Sequence, residues 1–518
     1  MQGNWGMYMD QPILPHILTN MAYLTLCLAS LVIFIGLFYI YAKYKLSYWS
    51  RRGVKTPPMN LFFGNFKDCI TLKKAPGEVL REIYNSADPD DPYIGFYIFH
   101  KPMLLLRNHD LIKQMLITDF DVFPNRRFGA CNQRDPIGLD SILSMKQPRW
   151  RYLRSKLSSP LTGQKLKNML PLMEECGKPM LKFIEKLQED TFGHHKCEIK
   201  DFSSCYTNDV LASIAFGINT NSFDEEENAF WKNGSKVFRG FMSGITFIIL
   251  FFIPAWGPLV KPFIQGPANY FREVFWDSMN TREKIGFKRG DVIDSLLSLK
   301  NGEQNPIYKF EGDNLVAQSS SLYIAGIDTS STTIAFALHN LSRNPEHQTT
   351  LYNEIQTHVL GKKLTIDLIN EMSFLDCVVN ESLRLHPPLP VIDRIATRDY
   401  KLPGFELIIE KDVSVYVSVN AINQDSKYFL NPHDFIPSRI KTEQKKFCDS
   451  LAFGIGPRTC VGQRFGILLV KVALIMILSN YIVCYDKNEK PILKDKNEIH
   501  VFAYAADGLY LQFKKRQQ

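Results

Sequence analysis

The stretch from Met21 to Ala42 carries no charged residue, and this constrains the chain more than any other feature. Crossing the hydrocarbon core of a bilayer takes about 20 apolar residues as a helix, which satisfies its own backbone hydrogen bonds there. The run therefore predicts a transmembrane anchor. Asp10 is the only charge ahead of it, whereas Lys43, Lys45, Arg51, Arg52 and Lys55 follow. The positive-inside rule then puts the bulk of the chain in the cytosol. A cleaved signal peptide would have a shorter apolar run with its charges on the other side.

Residues 1–42 thus read as an N-terminal segment with its anchor at about 21–42, and 43–60 as a basic, proline-rich hinge around Thr56-Pro57-Pro58, where each proline fixes its own φ and biases the residue before it away from helix. Residues 61–518 contain no linker, repeat or low-complexity tract and read as one large body. The ten cysteines show no CxxC or framework spacing, which suits reduced cytosolic thiols rather than disulfides. His194, His195, Cys197 and Cys205 do not match the common zinc spacings. A net charge of +8 fits an anionic membrane or an acidic protein partner, and no nucleic-acid motif is present.

Within the body, Tyr93–Phe99 and Met103–Leu106 read as paired strands, and Trp150–Asn344 as a mainly helical mass. Its longest helix is expected from Asp313, as N-cap, to Asn344, with Pro345 ending it. Strands return at Val391–Thr397, Leu407–Ile409, Val413–Val419 and Leu509–Phe513. The fold class is α+β, mainly helical, with small peripheral β-sheets. The apolar stretch Ile245–Ile253 is too short to span a bilayer. It could roof a cavity, dip into the membrane surface or pack in the core.

The segment Phe453-Gly454-Ile455-Gly456-Pro457-Arg458-Thr459-Cys460-Val461-Gly462 precedes an apolar helical run from Gly466 to Leu478. The glycines allow tight turns and close approach to a flat ligand, while the helix N-terminus and Arg458 favour thiolate over thiol at Cys460. Such a thiolate is a soft ligand suited to haem iron. The pattern resembles the haem-binding signature of the cytochrome P450 superfamily, Phe-x-x-Gly-x-Arg-x-Cys-x-Gly, at all five fixed positions. Tyr48-Trp49-Ser50-Arg51-Arg52-Gly53, Phe120-Asp121-Val122-Phe123 and the cysteine loop look most like insect microsomal enzymes allied to the vertebrate drug oxidisers.

The resemblance implies the P450 fold, heme b held by Cys460 as the metal ligand, and Phe453 and Gly462 as part of the cofactor loop. Trp150 and Arg154, a Trp-x-x-x-Arg pair, resemble residues that reach a haem propionate; Arg394 and Arg458 resemble the other propionate arginines, although surface charge is an equal reading for Arg394. Ala325-Gly326-Ile327-Asp328-Thr329-Ser330 looks like the oxygen-activation motif. There Ala325 and Gly326 would make room beside the haem, Asp328 would relay protons and Thr329 would orient oxygen or water. Glu381 and Arg384 match the family's Glu-x-x-Arg pair, with Arg439 of the Pro432–Arg439 segment as third member; Ser438 and Ile440 depart from the usual Glu and Phe. Val391 and Ile392 join Ala325 as substrate-pocket candidates.

By the same resemblance the activity is insertion of one oxygen atom from O2 into a lipophilic small molecule: a xenobiotic, insecticide, plant toxin or endogenous hormone or lipid. Electrons would come from NADPH through NADPH-cytochrome P450 reductase, with cytochrome b5 as a further partner. Both would dock on the basic face made by Arg149, Arg151, Lys156, Lys165 and Lys167 and by Lys441, Lys445 and Lys446. The location implied is the endoplasmic reticulum membrane, with a single anchor and the catalytic domain in the cytosol. A haem-thiolate isomerase or dehydratase, and a non-catalytic haem sensor, are the rival readings. Asp328 and Thr329 speak against both.

Overall fold

The computed structural model describes residues 13–127, 136–139, 141–161, 163–189, 193–224, 229–237, 249–259, 267–440, 451–485 and 508–517. Helix α1 (Ile13–Leu46) covers the charge-free stretch and runs a little beyond it at both ends. From Met21 on, its apolar side chains are almost all exposed, as a helix in contact with lipid requires. Its end meets the body. Phe38 stacks on Phe62 at 5.1 Å, and Phe38 and Tyr41 both set their rings edge-on to His100 at 5.7 Å. Trp49 is fully buried, its indole N–H donating to the Phe96 carbonyl at 3.2 Å. A Cβ on Gly95 would come within 2.6 Å of that indole, so the close approach requires glycine. Packing onto the body thus begins ahead of Pro57.

Helix α2 (Pro76–Asn85) lies against a four-stranded sheet built from β1 (Tyr93–Ile98), β2 (Lys101–Leu106), β4 (Val391–Ile395) and β7 (Ser414–Ser418) in the order β1-β2-β7-β4. The hairpin β1–β2 is antiparallel, with Phe96 opposite Met103. Strand β2 then runs parallel to β7, Met103 opposite Ser414. This sheet carries the smaller of two apolar cores, which includes Trp49, Phe66, Phe96 and Tyr416. Phe251 and Phe252 are buried in it and Ile253 packs against it, Phe252 lying edge-on to Phe66 at 5.2 Å. For 249–253 the structure therefore favours core packing; residues 245–248 lie outside the described residues.

The larger core is helical. Around it stand α3 (Arg149–Ser158), α4 (Gly163–Lys186), α5 (Ile199–Leu211), α6 (Ala268–Ile285), α7 (Val292–Lys300), α8 (Asp313–Arg343), α9 (Pro345–Val359), α10 (Ser373–Leu385) and α11 (Gln463–Asn480). Helix α8, 31 residues long, spans nearly 50 Å at about 1.5 Å per residue and packs on α5, α10 and α11. Many of its buried residues are Ser, Thr or Ala, and some of the hydroxyls bond back to the helix itself: Ser331 donates to the Ile327 carbonyl at 2.7 Å and Thr333 to that of Thr329 at 2.8 Å, whereas Ser319 reaches the Ala215 carbonyl at 2.7 Å. Small side chains let neighbouring helices come close, and the hydroxyls that bond back to the helix are not stranded by it. Helix α11 is apolar enough to cross a membrane, but most of it is buried as a core element.

Two expectations need correction and one is extended. Asp313 is not the N-cap of α8: Gly312, at φ +51°, occupies that position, and Asp313 in the first turn pairs with Arg272 at 2.7 and 2.9 Å. As expected, α8 ends just ahead of Pro345, which is also the first residue of α9, where its missing N–H costs nothing. The helical middle is interrupted by β3 (His194–Glu198), which pairs with β9 (Tyr510–Lys515), itself flanked by β8 (Tyr481–Cys484). A short hairpin of β5 (Tyr400–Lys401) and β6 (Ile408–Ile409) completes a mainly helical α+β fold with peripheral sheets.

Candidate active site at the cysteine loop

The loop from Leu451 to Gly462 folds as two 3-10 turns, Leu451–Phe453 and Gly456–Arg458. Gly454 and Gly456 have φ of +72° and +74°, where a side chain is strained, and a Cβ on Gly456 would collide with the Leu116 carbonyl. The backbone N–H of Cys460 donates to the Phe453 carbonyl at 2.8 Å, and Gly462 is the N-cap of α11. Cys460 is enclosed by protein yet exposed, so its sulfur faces an internal space rather than bulk water. Burial pushes the thiol pKa up, while the Gly462 N–H and the charges of Arg154 and Arg126 pull it down. Arg458 is not among the charges that act on the thiol. Its guanidinium turns away to the carbonyls of Pro124 (2.9 Å) and Met145 (2.8 Å) and lies 4.1 Å over the ring of buried Trp150.

Four arginines converge here from distant parts of the chain: Arg126, Arg154 on α3, Arg394 on β4 and Arg458. Arg394 is 1% exposed, and its Nη1 donates to the Asp393 carbonyl at 2.7 Å. Burial, then repulsion from Arg126, brings Arg394 down to about 9; burial, Arg126 and Arg394 bring Arg458 to about 9. The Nε of Arg126, the Nε of Arg394 and Nη1 of Arg458 are buried without a hydrogen-bond partner among the described residues. Buried cationic donors left unmet are costly, and repelling cations more so. Asp393 offsets part of this charge. The rest suits an anion with more than one carboxylate, the partner guanidinium groups bind best. Arg126 was not among the residues singled out from the sequence, because an Arg126-Arg127 pair in a loop looks like surface charge.

Helix α8 packs on α11, the helix that follows the cysteine loop. Most of it is buried, but Ala325 is exposed and Thr329, one turn on, partly so. That stripe faces open space, while Ser330 lies beside Gly466 of α11. The Thr329 hydroxyl donates to the Ala325 carbonyl at 2.7 Å. Gly326 points elsewhere: a Cβ there would meet Leu211 at 3.0 Å, so this glycine makes room for α5 and not for a ligand beside Ala325. Asp328 pairs with Lys200 of α5, Nζ to Oδ1 at 2.7 Å. Lys200 was likewise not singled out from the sequence. Val391 and Ile392 open β4 half-buried, three and two residues ahead of Arg394.

Glu381, Arg384 and Arg439 form a buried network. Glu381 accepts from Arg384 at 2.8 Å on each carboxylate oxygen, from Arg439 Nε at 2.9 Å and from the Ile436 N–H at 3.1 Å. Arg384 also donates to the carbonyls of Asn423 and Pro432, and Arg439 to those of Leu430 and Asn431. Together they tie α10 to the segment carrying Pro432–Arg439. On the outer face, Arg151 and Lys156 of α3 and Lys167 of α4 are exposed; Lys441, Lys445 and Lys446 lie outside the described residues.

Comparison with known proteins gives a coherent result. A family model for cytochrome P450 matches residues 54–513. The chain is 35% identical to cytochrome P450 6k1 of Blattella germanica, over 86% of this chain and 88% of that one. It is 34% identical to probable cytochrome P450 6g2 of Drosophila melanogaster, over 87% and 91%, and 34% identical to cytochrome P450 6j1 of Blattella germanica, over 92% and 95%. A match that runs nearly from end to end of the body, at these identities, makes the chain a member of the cytochrome P450 family and a P450 monooxygenase.

Proposed function

We propose that the chain binds heme b through Cys460 and inserts one oxygen atom from O2 into a lipophilic small molecule, with electrons from NADPH delivered by NADPH-cytochrome P450 reductase. The observation that carries this is the set of buried guanidinium N–H groups without partners, gathered near the thiol that opens onto the same space. The residues fit a haem dicarboxylate. Arg126, Arg154, Arg394 and Arg458, with Trp150 stacked on the last, would hold its two carboxylates, and Cys460 its iron. When bound, the haem supplies activation of O2, for which a thiolate ligand is the favourable donor.

The protein's own residues do the rest. The Phe453 carbonyl and the Gly462 N–H fix Cys460 at the mouth of α11. Ala325, Val391 and Ile392 present apolar surface to a substrate, which excludes water. Thr329, its hydrogen given to Ala325, can accept a hydrogen bond at its oxygen, and Asp328 carries protons toward that space. The exposed cations of α3 and α4 would steer an acidic reductase, and cytochrome b5, to the side of the cysteine loop. With the apolar helix α1 as its anchor, the enzyme would sit on the cytosolic face of the endoplasmic reticulum. Substrates would be xenobiotics, insecticides, plant toxins or endogenous hormones and lipids.

The test is the ferrous carbon-monoxide spectrum. Wild-type protein should give the thiolate-type band, and Cys460→Ala should lose that band together with all NADPH-dependent product formation. A thiolate band that survives the substitution would refute the assignment. NADPH consumption in the presence of the reductase separates a monooxygenase from an isomerase or a sensor, since neither of those needs external electrons.

A further inference from the structure

Lys200 is nearly buried, yet it stands in the first turn of α5, where the helix dipole disfavours a cation. Nothing in α5 itself explains its charge. Its Nζ meets the Asp328 carboxylate at 2.7 Å, the Asp328 carbonyl at 3.2 Å and the Ser331 hydroxyl at 2.5 Å. These are three acceptors for the three donors of an ammonium group, all from one turn of α8. The two ends of the pair differ. The Lys200 side chain is 8% exposed and that of Asp328 39% exposed, so the cation is a fixed post and the carboxylate keeps an accessible side. Oδ1 is held, and Oδ2 has no hydrogen-bond partner among the described residues.

We propose that Lys200 is a positioning residue for the reaction: it pins Asp328 by Oδ1 against α5, so that Oδ2 alone exchanges protons with the space beside Thr329. The proposal rests on the reading of Asp328 as a proton carrier. A carboxylate held at one oxygen by a rigid, fully satisfied ammonium presents its other oxygen in one orientation. Without the post, Asp328 would rotate among solvent-exposed rotamers and deliver protons from none of them efficiently. On the α8 side Ser331 gives its own hydrogen to the Ile327 carbonyl at 2.7 Å, which also accepts from Thr207 of α5 at 3.2 Å.

The experiment uses the full-length haem protein with the reductase and 7-ethoxycoumarin as probe, comparing Lys200→Met, Lys200→Arg, Asp328→Asn and the double variant Lys200→Met/Asp328→Asn. NADPH consumption, its solvent deuterium isotope effect, haem content and melting temperature are recorded for each. Lys200→Met is expected to slow NADPH consumption about fivefold or more and to raise the isotope effect to the Asp328→Asn value, with haem content unchanged. Lys200→Arg should fall between it and wild type, and the double variant should be no slower than Asp328→Asn. The same coupling should appear in melting temperature, Lys200→Met costing less once Asp328 is neutral. A lower melting temperature with a wild-type isotope effect in both Lys200 variants, while Asp328→Asn alters it, would show a purely structural ion pair and overturn the proposal. An unaltered isotope effect in Asp328→Asn itself would overturn the proton-carrier reading beneath it. Should Lys200→Met fail to retain haem, Lys200→Arg and the double variant decide between these outcomes.

Discussion

Glu381 shows how much one buried carboxylate can hold. It accepts four hydrogen bonds and faces two guanidinium groups that are themselves almost fully buried. Removing it strands both cations, for which a cost of about 3–5 kcal/mol is typical. Glu381→Ala is therefore expected to unfold at markedly lower denaturant and to be isolated haem-poor; a wild-type denaturation midpoint with full haem content would contradict this. Arg384→Lys should do little better, because a single ammonium cannot span Glu381 and the carbonyls of Asn423 and Pro432 together. Glu381 and Arg384 are legible in the sequence because a spacing of three puts both on one helix face. Arg126 and Lys200 are not, since their partners lie hundreds of residues away or nearly so: Arg458 for the first, Asp328 for the second. Gly326 teaches the same point in reverse. Its spacing marks the right turn of α8, but only the packing against Leu211 reveals which way it faces.

Among elements, α8 could be placed from sequence to within a residue or so at each end, because a long run without an internal proline ends at Pro345. Strands β3 and β8 could not. The sequence His194-His195-Lys196-Cys197-Glu198 lacks an alternating apolar face of any length, and it is a strand because β9 is there to pair with it. Helix α8 also meets the end of α10 through a stacked pair, the Phe336 ring lying 4.1 Å from the His386 ring at an interplanar angle of 7°. Burial holds the imidazole of His386 down to about 3, and that of nearby His339 to about 4. The unfolded chain titrates these groups near 6.5. Each therefore contributes stability that is fully present above about pH 6.5 and is lost as pH falls toward the folded value, by at most about 1.4 kcal/mol per pH unit. His386→Phe keeps the stack and removes the titration. Its melting temperature relative to wild type should rise steadily from pH 6.5 to pH 4.5, and parallel curves would show that His386 is not neutral in the fold.

For the molecule as a whole, the junction of anchor and body is a packed structure with Trp49 at its centre. Deleting residues 1–46 should leave the melting temperature within about 2 °C of the full chain. Deleting 1–53 removes Trp49 from beneath Gly95, a loss comparable with truncating a core tryptophan, about 3–5 kcal/mol, and should lower melting by several degrees. Equal melting of the two shortened forms would mean that Trp49 is dispensable. The proline pair reads in sequence as a swivel, but Trp49, Phe38 and Tyr41 lie against β1, β2 and the turn between them, contacts that no local pattern discloses. Their effect is mechanical. A globule on a slack tether samples a hemisphere of attitudes above the lipid, whereas one clasped to its own stalk retains little more than spin about the membrane normal. With the proposed anchoring, an electron donor confined to the same membrane would meet the cysteine-loop face at a constant height, and their encounter would become a search in two dimensions with the tilt already settled.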